Sequence, residues 1–172
     1  MRIRDEQPGD VDAIYTLTRD AFATMPYSAG DEQDLINALR ADGALFLSLV
    51  AVRGDEIVGH IAFSRVRIDG QPGNWFDLGP VSVKPPLQSL GIGSALIREG
   101  LSRLQALGAD GCVLLGYPSY YGRFGFAHDP GLTYAGEANP NFQHLTWQGE
   151  TPRGEVVYHP AFYGSPPDPT SR

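Results

Sequence analysis

Residues 81–96 read VSVKPPLQSLGIGSAL, and the order of residue types there restricts the fold more than any other stretch. Val81 and Val83 flank Ser82 in strand-type alternation, Pro85-Pro86 stop the strand, and Gly91 and Gly93 open backbone space where an apolar-periodic helix begins. A strand running through a loop into a helix start offers unpaired backbone amides, which together with the helix dipole attract anions. Two nucleotide-binding registers are excluded. The third glycine of a GxGxxG fingerprint would fall on Leu96, and a P-loop needs Lys before its Ser or Thr, whereas Ser94 follows Gly93 directly.

What is left is Gln88, Gly91 and Gly93 in Q-x-x-G-x-G spacing directly after a V-x-V strand. A second segment, YPSYYGRFGF at 117–126, carries Tyr121 four residues before Gly125-Phe126. One helix and one strand fit between the two segments. The ordered pair resembles the Gcn5-related N-acetyltransferases, and LGPVSV, GIGSALIREGL, LLGYPSYYGRFGF, EQDLINALR and VGHIAFSRV are similar to the YhbS-like subgroup of bacterial acetyltransferases. The resemblance spans roughly residues 2–165.

That resemblance implies an α/β (α+β) fold, a mixed central sheet of roughly six to seven strands with one splayed strand pair and flanking helices. It places one N-acetyltransferase domain over residues 1–165 and leaves 166–172 as a disordered tail. It also implies transfer of an acetyl group from acetyl-CoA to a primary amine by direct attack. The pantetheine arm would pair with the backbone of Val81, Ser82 and Val83 as an added strand. The pyrophosphate would rest on the amides of Gln88, Ser89, Leu90, Gly91, Ile92, Gly93 and Ser94. Tyr121 takes the place of the tyrosine that contacts and protonates the leaving sulfur, and a phenol suits this because it stays protonated at neutral pH.

An alkylammonium must lose a proton before it attacks, and the resemblance implies a carboxylate as the base, often acting through water. Asp77 lies four residues before Val81, and uninterrupted alternation would put it on the same face as Val81 and Val83. Glu32, on the helix that borders the acceptor site in the family, is the competitor. His60, inside the apolar VGHIAFS, is a candidate for orienting the acceptor or shuttling a proton. Trp75, Phe76, Tyr27 and Phe142 are candidates for lining the acceptor pocket. Two other classes stay open: a non-catalytic acetyl-CoA-binding sensor or scaffold, and a transferase of another acyl group or to a hydroxyl or protein acceptor.

Composition narrows the partners. A net charge of −7 argues against nucleic acid, which needs clustered Lys and Arg, and is compatible with a cationic small-molecule or peptide acceptor. The single cysteine, Cys112, excludes an internal disulfide framework, and His128, His144 and His159 lack metal-ligand spacing, so no metal is expected. The charged start MRIRDEQPGD and the lack of an apolar run near the ~20 residues of a membrane span point to a cytoplasmic protein with no membrane partner. Monomer and homodimer are both open, with Tyr158, Phe162 and Tyr163 as candidate dimer contacts.

Periodicity gives a coarse element order. A strand at 2–5 precedes a helix with Asp10 at its N-cap, which turns Val11, Ile14, Thr18, Ala21 and Phe22 inward, and a second helix covers 31–42. Strands at 46–53 and 56–67 are joined by Gly54-Asp55, a type II′ hairpin signal, and another strand covers 74–83. Leu96, Ile97, Leu101, Leu104 and Leu107 share one face of the next helix, and 111–115 form an apolar strand. Residues 129–154 read as loop, and 155–162 as a last strand.

Overall fold

Apolar runs such as 49–52 and 58–63, buried on both faces, set the strands of the first half of the chain into an antiparallel ribbon. The computed structural model describes residues 1–164, so the tail at 166–172 lies outside the described residues. Strands β1 (Arg2–Asp5), β2 (Leu47–Arg53), β3 (Glu56–Ile68) and β4 (Gln71–Val83) pair in sequence order. Gly54 has a φ of 63° in the expected two-residue turn. A second tight turn at Asp69-Gly70, with φ of 49° and 74°, joins β3 to β4. Both strands therefore extend toward it, and β4 begins at Gln71 rather than Asn74.

Helices α1 (Val11–Phe22) and α2 (Glu32–Ala41) intervene between β1 and β2, and α3 (Ile92–Ala106) follows β4. Alternation along β2 separates their faces. Leu49 and Ala51 join the core beneath α3, while Val50 and Val52 pack with Ile14 of α1 and Ile36 of α2. Leu96, Ile97, Leu101 and Leu104 point into the α3 core as expected, and each buried side chain of this size contributes about 1.5–3 kcal/mol. Leu107 does not: it lies just past the helix end and is 67% exposed. A Cβ at Gly100 would sit 2.4 Å from the Phe63 ring, so only glycine lets α3 approach β3 this closely. Asp10 stands at the N-cap of α1 as expected, but its carboxylate makes no capping bond to the helix; it accepts from Gln7 N at 2.7 Å and pairs with Arg4.

Beyond α3, β5 (Gly111–Leu115) runs parallel to β4 and is followed by a single helical turn, α4 (Pro118–Tyr121). Residues 129–154 are not all loop: they contain β6 (Leu132–Tyr134) and β7 (Phe142–Thr146), anchored by buried Leu132 and Phe142. Runs of three and five residues are too short for a period of two to be read from sequence. The last strand, β8, covers only Gly154–Val157, and Pro160–Tyr163 form a 3₁₀ turn. Among the described residues the sheet thus has eight strands, in the order β1-β2-β3-β4-β5-β7, with β8 on the end of β3 and β6 on β8. It is mixed and flanked by helices, as expected, with more strands than the resemblance implied.

Candidate active site

β4 and β5 pair only where Trp75–Asp77 meet Gly111–Val113. β4 continues to Val83 with β3 alone on its other edge, while β5 stays with β7 as far as Leu115. The two parallel strands therefore splay, and among the described residues no strand covers the β5-facing edge of β4 from Leu78 to Val83. A free edge is a template for an added extended group.

The chain leaves this edge through a loop built around backbone positions that favour glycine. Ser89 and Gly91 have φ of 65° and 92°, and Gly91 is the N-cap of α3 with no side chain capping the helix start. The Gln88 side chain does not face outward as a ligand: its Nε2 donates to the Val83 carbonyl at 3.1 Å and ties the loop to the strand. A Cβ on Gly93 would find only ordinary contacts, 3.6 Å to Val83 and to the Tyr120 hydroxyl. The protein's own packing does not require glycine at 93, so the space there is available to a ligand. An uncapped helix start beside an open strand edge suits a diphosphate joined to an extended arm.

α4 brings the aromatic segment to the same cleft. Tyr121 packs against the main core, and a Cβ on Gly116 would lie 2.4 Å from its ring. Its ring meets those of Tyr120 at 4.9 Å and Phe126 at 6.2 Å. Burial raises the Tyr121 hydroxyl well above the usual phenol range, with further contributions from Tyr120, Tyr27 and Asp77, so it is a donor at neutral pH. The preceding residue, Tyr120, reaches the same cleft. Its hydroxyl lies 3.4 Å from Ser94 Oγ, over the start of α3, and Arg123 stacks on its ring at 4.5 Å.

Asp77 does not share the face of Val81 and Val83. Register shows Ile61 opposite Val81 and Phe63 opposite Leu78, so Gly79 and Pro80 together face Ala62 alone. This bulge adds one residue and inverts the parity. Phe76 and Leu78 join Val81 and Val83 in the α3 core, while Asp77 turns to the α1/α2 face beside Ser64 of β3. There it is 3% exposed, and burial pushes its carboxyl up to about 8. The Tyr158 phenol opposes that shift from nearby, yet forms no hydrogen bond of ordinary geometry. Ser82 lies on the same face, its hydroxyl buried and without a partner, so only its backbone belongs to the open edge.

Glu32, in the first turn of α2, is held by Ser28 Oγ, with one contact at 2.8 Å. It sits close enough to Tyr27 to raise that phenol, and Tyr27 in turn acts on Tyr121. Tyr121 thus lies within electrostatic reach of both Asp77 and Tyr27. Of the aromatics expected to line an acceptor pocket, only Tyr27 is open, 63% exposed and edge-on to Tyr117 at 6.2 Å. Trp75, Phe76 and Phe142 are buried in cores, and so is Tyr158. Phe162 packs edge-on against Tyr158 at 5.0 Å, and the Tyr163 hydroxyl accepts from the Tyr158 backbone N–H at 3.0 Å. His60 is fully buried, with Nε2 2.7 Å from Ser48 Oγ. Among the described residues no group of His, Cys, Asp and Glu is arranged to hold a metal ion, and no helix is long and apolar enough to cross a membrane.

Residues 2–128 match the model of an acetyltransferase (GNAT) domain. The uncharacterized N-acetyltransferase YhbS of Escherichia coli K12 is 36% identical over 127 residues, 73% of each chain. A GNAT family acetyltransferase from Brucella melitensis, solved in complex with acetyl-CoA, is 46% identical and superposes with a TM-score of 0.84 over 94% of this chain and 97% of its own. The E. coli YhbS structure, in complex with CoA, gives the same TM-score of 0.84 at 31% identity, over 94% and 91% of the two chains. With the splayed β4–β5 pair, the uncapped α3 start and the tyrosine of α4 in one cleft, the chain belongs to the GNAT acetyltransferases, of the YhbS-like kind.

Proposed function

We propose that this protein moves an acetyl group from acetyl-CoA to a primary amine of a small molecule or peptide by direct attack. The observation that carries the reading is the junction of an open β4 edge with the uncapped start of α3, one suited to an extended arm and the other to a diphosphate. The backbone of Val81–Val83 would hold the arm and the amides of Gln88–Ser94 the diphosphate. Two CoA-bound relatives of the same fold support the same donor.

The residues divide the remaining work. Cys112, the chain's one cysteine, is fully buried with its thiol pushed up by burial, which leaves no accessible thiol nucleophile and favours direct attack by the amine. Tyr121 donates its proton to the departing sulfur. Asp77 is favoured as base over Glu32, because it is desolvated and acts on Tyr121 directly, whereas Ser28 already occupies the Glu32 carboxylate. A carboxyl titrating at about 8 is matched to an amine near physiological pH. The base form appears as pH rises, so turnover climbs through about pH 8.

Release of free CoA thiol is the test, measured against a panel of primary amines alongside acetyl-CoA binding by calorimetry. Saturable binding and amine-dependent thiol release are expected. Binding without release across the panel would make the protein a sensor or scaffold, and release with hydroxyl or longer-acyl partners alone would replace the amine or the acetyl group.

A further inference from the structure

Asp77 is buried on the α1/α2 face, and among the described residues two buried hydroxyls beside it, Ser64 Oγ and Tyr158 Oη, make no hydrogen bond. Ser64 faces Asp77 directly across β3 and β4. Tyr158 comes from late in the chain, yet it belongs to the apolar cluster that flanks the same row of the sheet. That cluster contains Trp75, two residues from Asp77 on the same face of β4, Val113, its register partner on β5, and Val66, two residues from Ser64 on β3.

The Tyr158 ring has little freedom. β8 is joined to β3 through Val157 opposite Arg67 and Val156 opposite Ile68, and Asp69 Oδ1 accepts from Glu155 N at 2.8 Å. Just past the strand, the Tyr158 N–H donates to the Tyr163 hydroxyl at 3.0 Å, and the ring lies 4.9 Å from that of Tyr134 and 5.0 Å from that of Phe162. Phenylalanine would fill this space as well, so the hydroxyl is the part that packing does not account for. A buried hydroxyl without a partner opposes folding.

Burial first, and then the nearby Asp77 carboxyl, hold the Tyr158 phenol well above its usual range, so it is a donor at neutral pH. In the other direction, Tyr158 opposes the rise that burial imposes on Asp77. Cys112 of β5, Tyr121 of α4 and Tyr134 of β6 also sense Asp77, and all three are raised and uncharged at pH 7. His144 of β7 lies one strand beyond Val113, with Nδ1 2.9 Å from the Ala127 carbonyl, and no buried residue of α1 or α2 is titratable.

We propose that Tyr158 is a positioning residue for Asp77: its hydroxyl donates to one oxygen of the ionised carboxylate and so fixes which oxygen is left to face the cleft. The proposal rests on the reading of Asp77 as base given above. A neutral carboxylic acid is a weak acceptor and a carboxylate a strong one, so the bond closes as Asp77 ionises and favours the ionised form.

The test is the pH profile of kcat for wild type, Tyr158→Phe and Tyr134→Phe, together with ¹³C NMR of the Asp77 carboxyl and of Tyr158 Cζ in the full-length protein. Tyr158→Phe keeps the ring and removes the donor, so the limb at about pH 8 should move up by about one unit, which lowers kcat about tenfold at pH 7 and little at pH 10. Tyr134→Phe removes a phenol that also senses Asp77 but leaves the donor, and its limb should stay in place. In wild type, Tyr158 Cζ should show the Asp77 inflection, a readout that needs no variant to fold. An unmoved limb in folded Tyr158→Phe, an equal shift in Tyr134→Phe, or a Tyr158 Cζ that ignores the Asp77 titration overturns the proposal. If wild type turns over no amine at all, the functional reading fails instead, and the Asp77 carboxyl titration in wild type and Tyr158→Phe still decides the pairing.

Discussion

The two faces of the central sheet solve opposite problems. Under α3, Leu49, Ile61, Phe63, Phe76, Leu96 and Leu104 meet in a core with no unpartnered polar atom identified among them. Under α1 and α2, the small apolar cluster of Ile14, Ile36, Val50 and Val52 adjoins buried His60, Ser64, Asp77 and Ser82. Desolvation favours folding on the first face and opposes it on the second. The polar face is retained at a cost in stability, and Asp77, the base proposed above, lies on it. The bulge at Gly79-Pro80 makes this division possible within one strand, since the same β4 sends Val81 and Val83 to the apolar face and Asp77 to the polar one.

If the faces divide stability from chemistry, substitutions on each should move different measurements. The largest effect is expected from Asp77→Asn, which removes the proposed base and should lower kcat by about 10²–10⁴ without changing acetyl-CoA affinity. The rise of activity through about pH 8 should vanish with it. Steady-state kinetics over pH 6–9 checks this, and a surviving limb would move the base to Glu32. Next, Leu96→Ala on the apolar face, where Leu96 is fully buried, should cost about 2–5 kcal/mol in urea unfolding with kcat per folded molecule retained. A large loss of kcat at full folding would mean the faces are coupled.

At the cleft between the faces, Tyr121→Phe should lower kcat on the order of 10²-fold with acetyl-CoA affinity held, as measured by single-turnover kinetics and calorimetry. An unchanged kcat would leave Tyr120, poised over Ser94, as the hydroxyl to test. Gly93→Ala is smaller and has opposite signs on two axes. Its Cβ meets only ordinary contacts, and alanine favours a helix by about 1 kcal/mol over glycine, so Tm should rise slightly while acetyl-CoA binds roughly tenfold more weakly. Unaltered affinity would show that the diphosphate does not approach position 93.

The donor side of the cleft was legible because its physics is local. A strand stop, a left-handed position and a helix start within residues 81–96 specify a backbone shape by themselves. The acceptor side was not, because its placement depends on tertiary register. Nothing in LGPVSV announces that Gly79 and Pro80 will share one partner, and that one residue sends Asp77 to the other face. The hydrogen-bonded run from Arg40 through Glu6 and Ser48 to buried His60 joins residues up to 54 positions apart, beyond any spacing rule. Likewise β6 and β7 gain their strand character from pairing with β8 and β5 rather than from their own short sequences.

The smallest net effect should come from the polar face itself, because its two titrating groups oppose each other. The His60 pKa falls from 6.5 to about 4 on folding, so the unfolded chain binds the extra proton and stability from this residue is complete above 6.5 and lost as pH falls toward 4. The Asp77 pKa rises from 3.8 to about 8, so here the folded protein binds the extra proton, and stability is greatest below 3.8 and lost as pH rises through 8. Between about pH 4 and 6.5 the two slopes, each about 1.4 kcal/mol per pH unit, have opposite signs and cancel. Urea unfolding of wild type should therefore show almost no dependence on pH from this pair in that window, then a decline from 6.5 to 8 due to Asp77 alone. Each single variant should uncover the other group: Asp77→Asn should gain stability as pH rises from 4 to 6.5, and His60→Gln should lose it steadily from 4 to 8. Variants whose profiles stay parallel to wild type would show that the face is not desolvated in solution, and with that the contrast between the two faces would disappear.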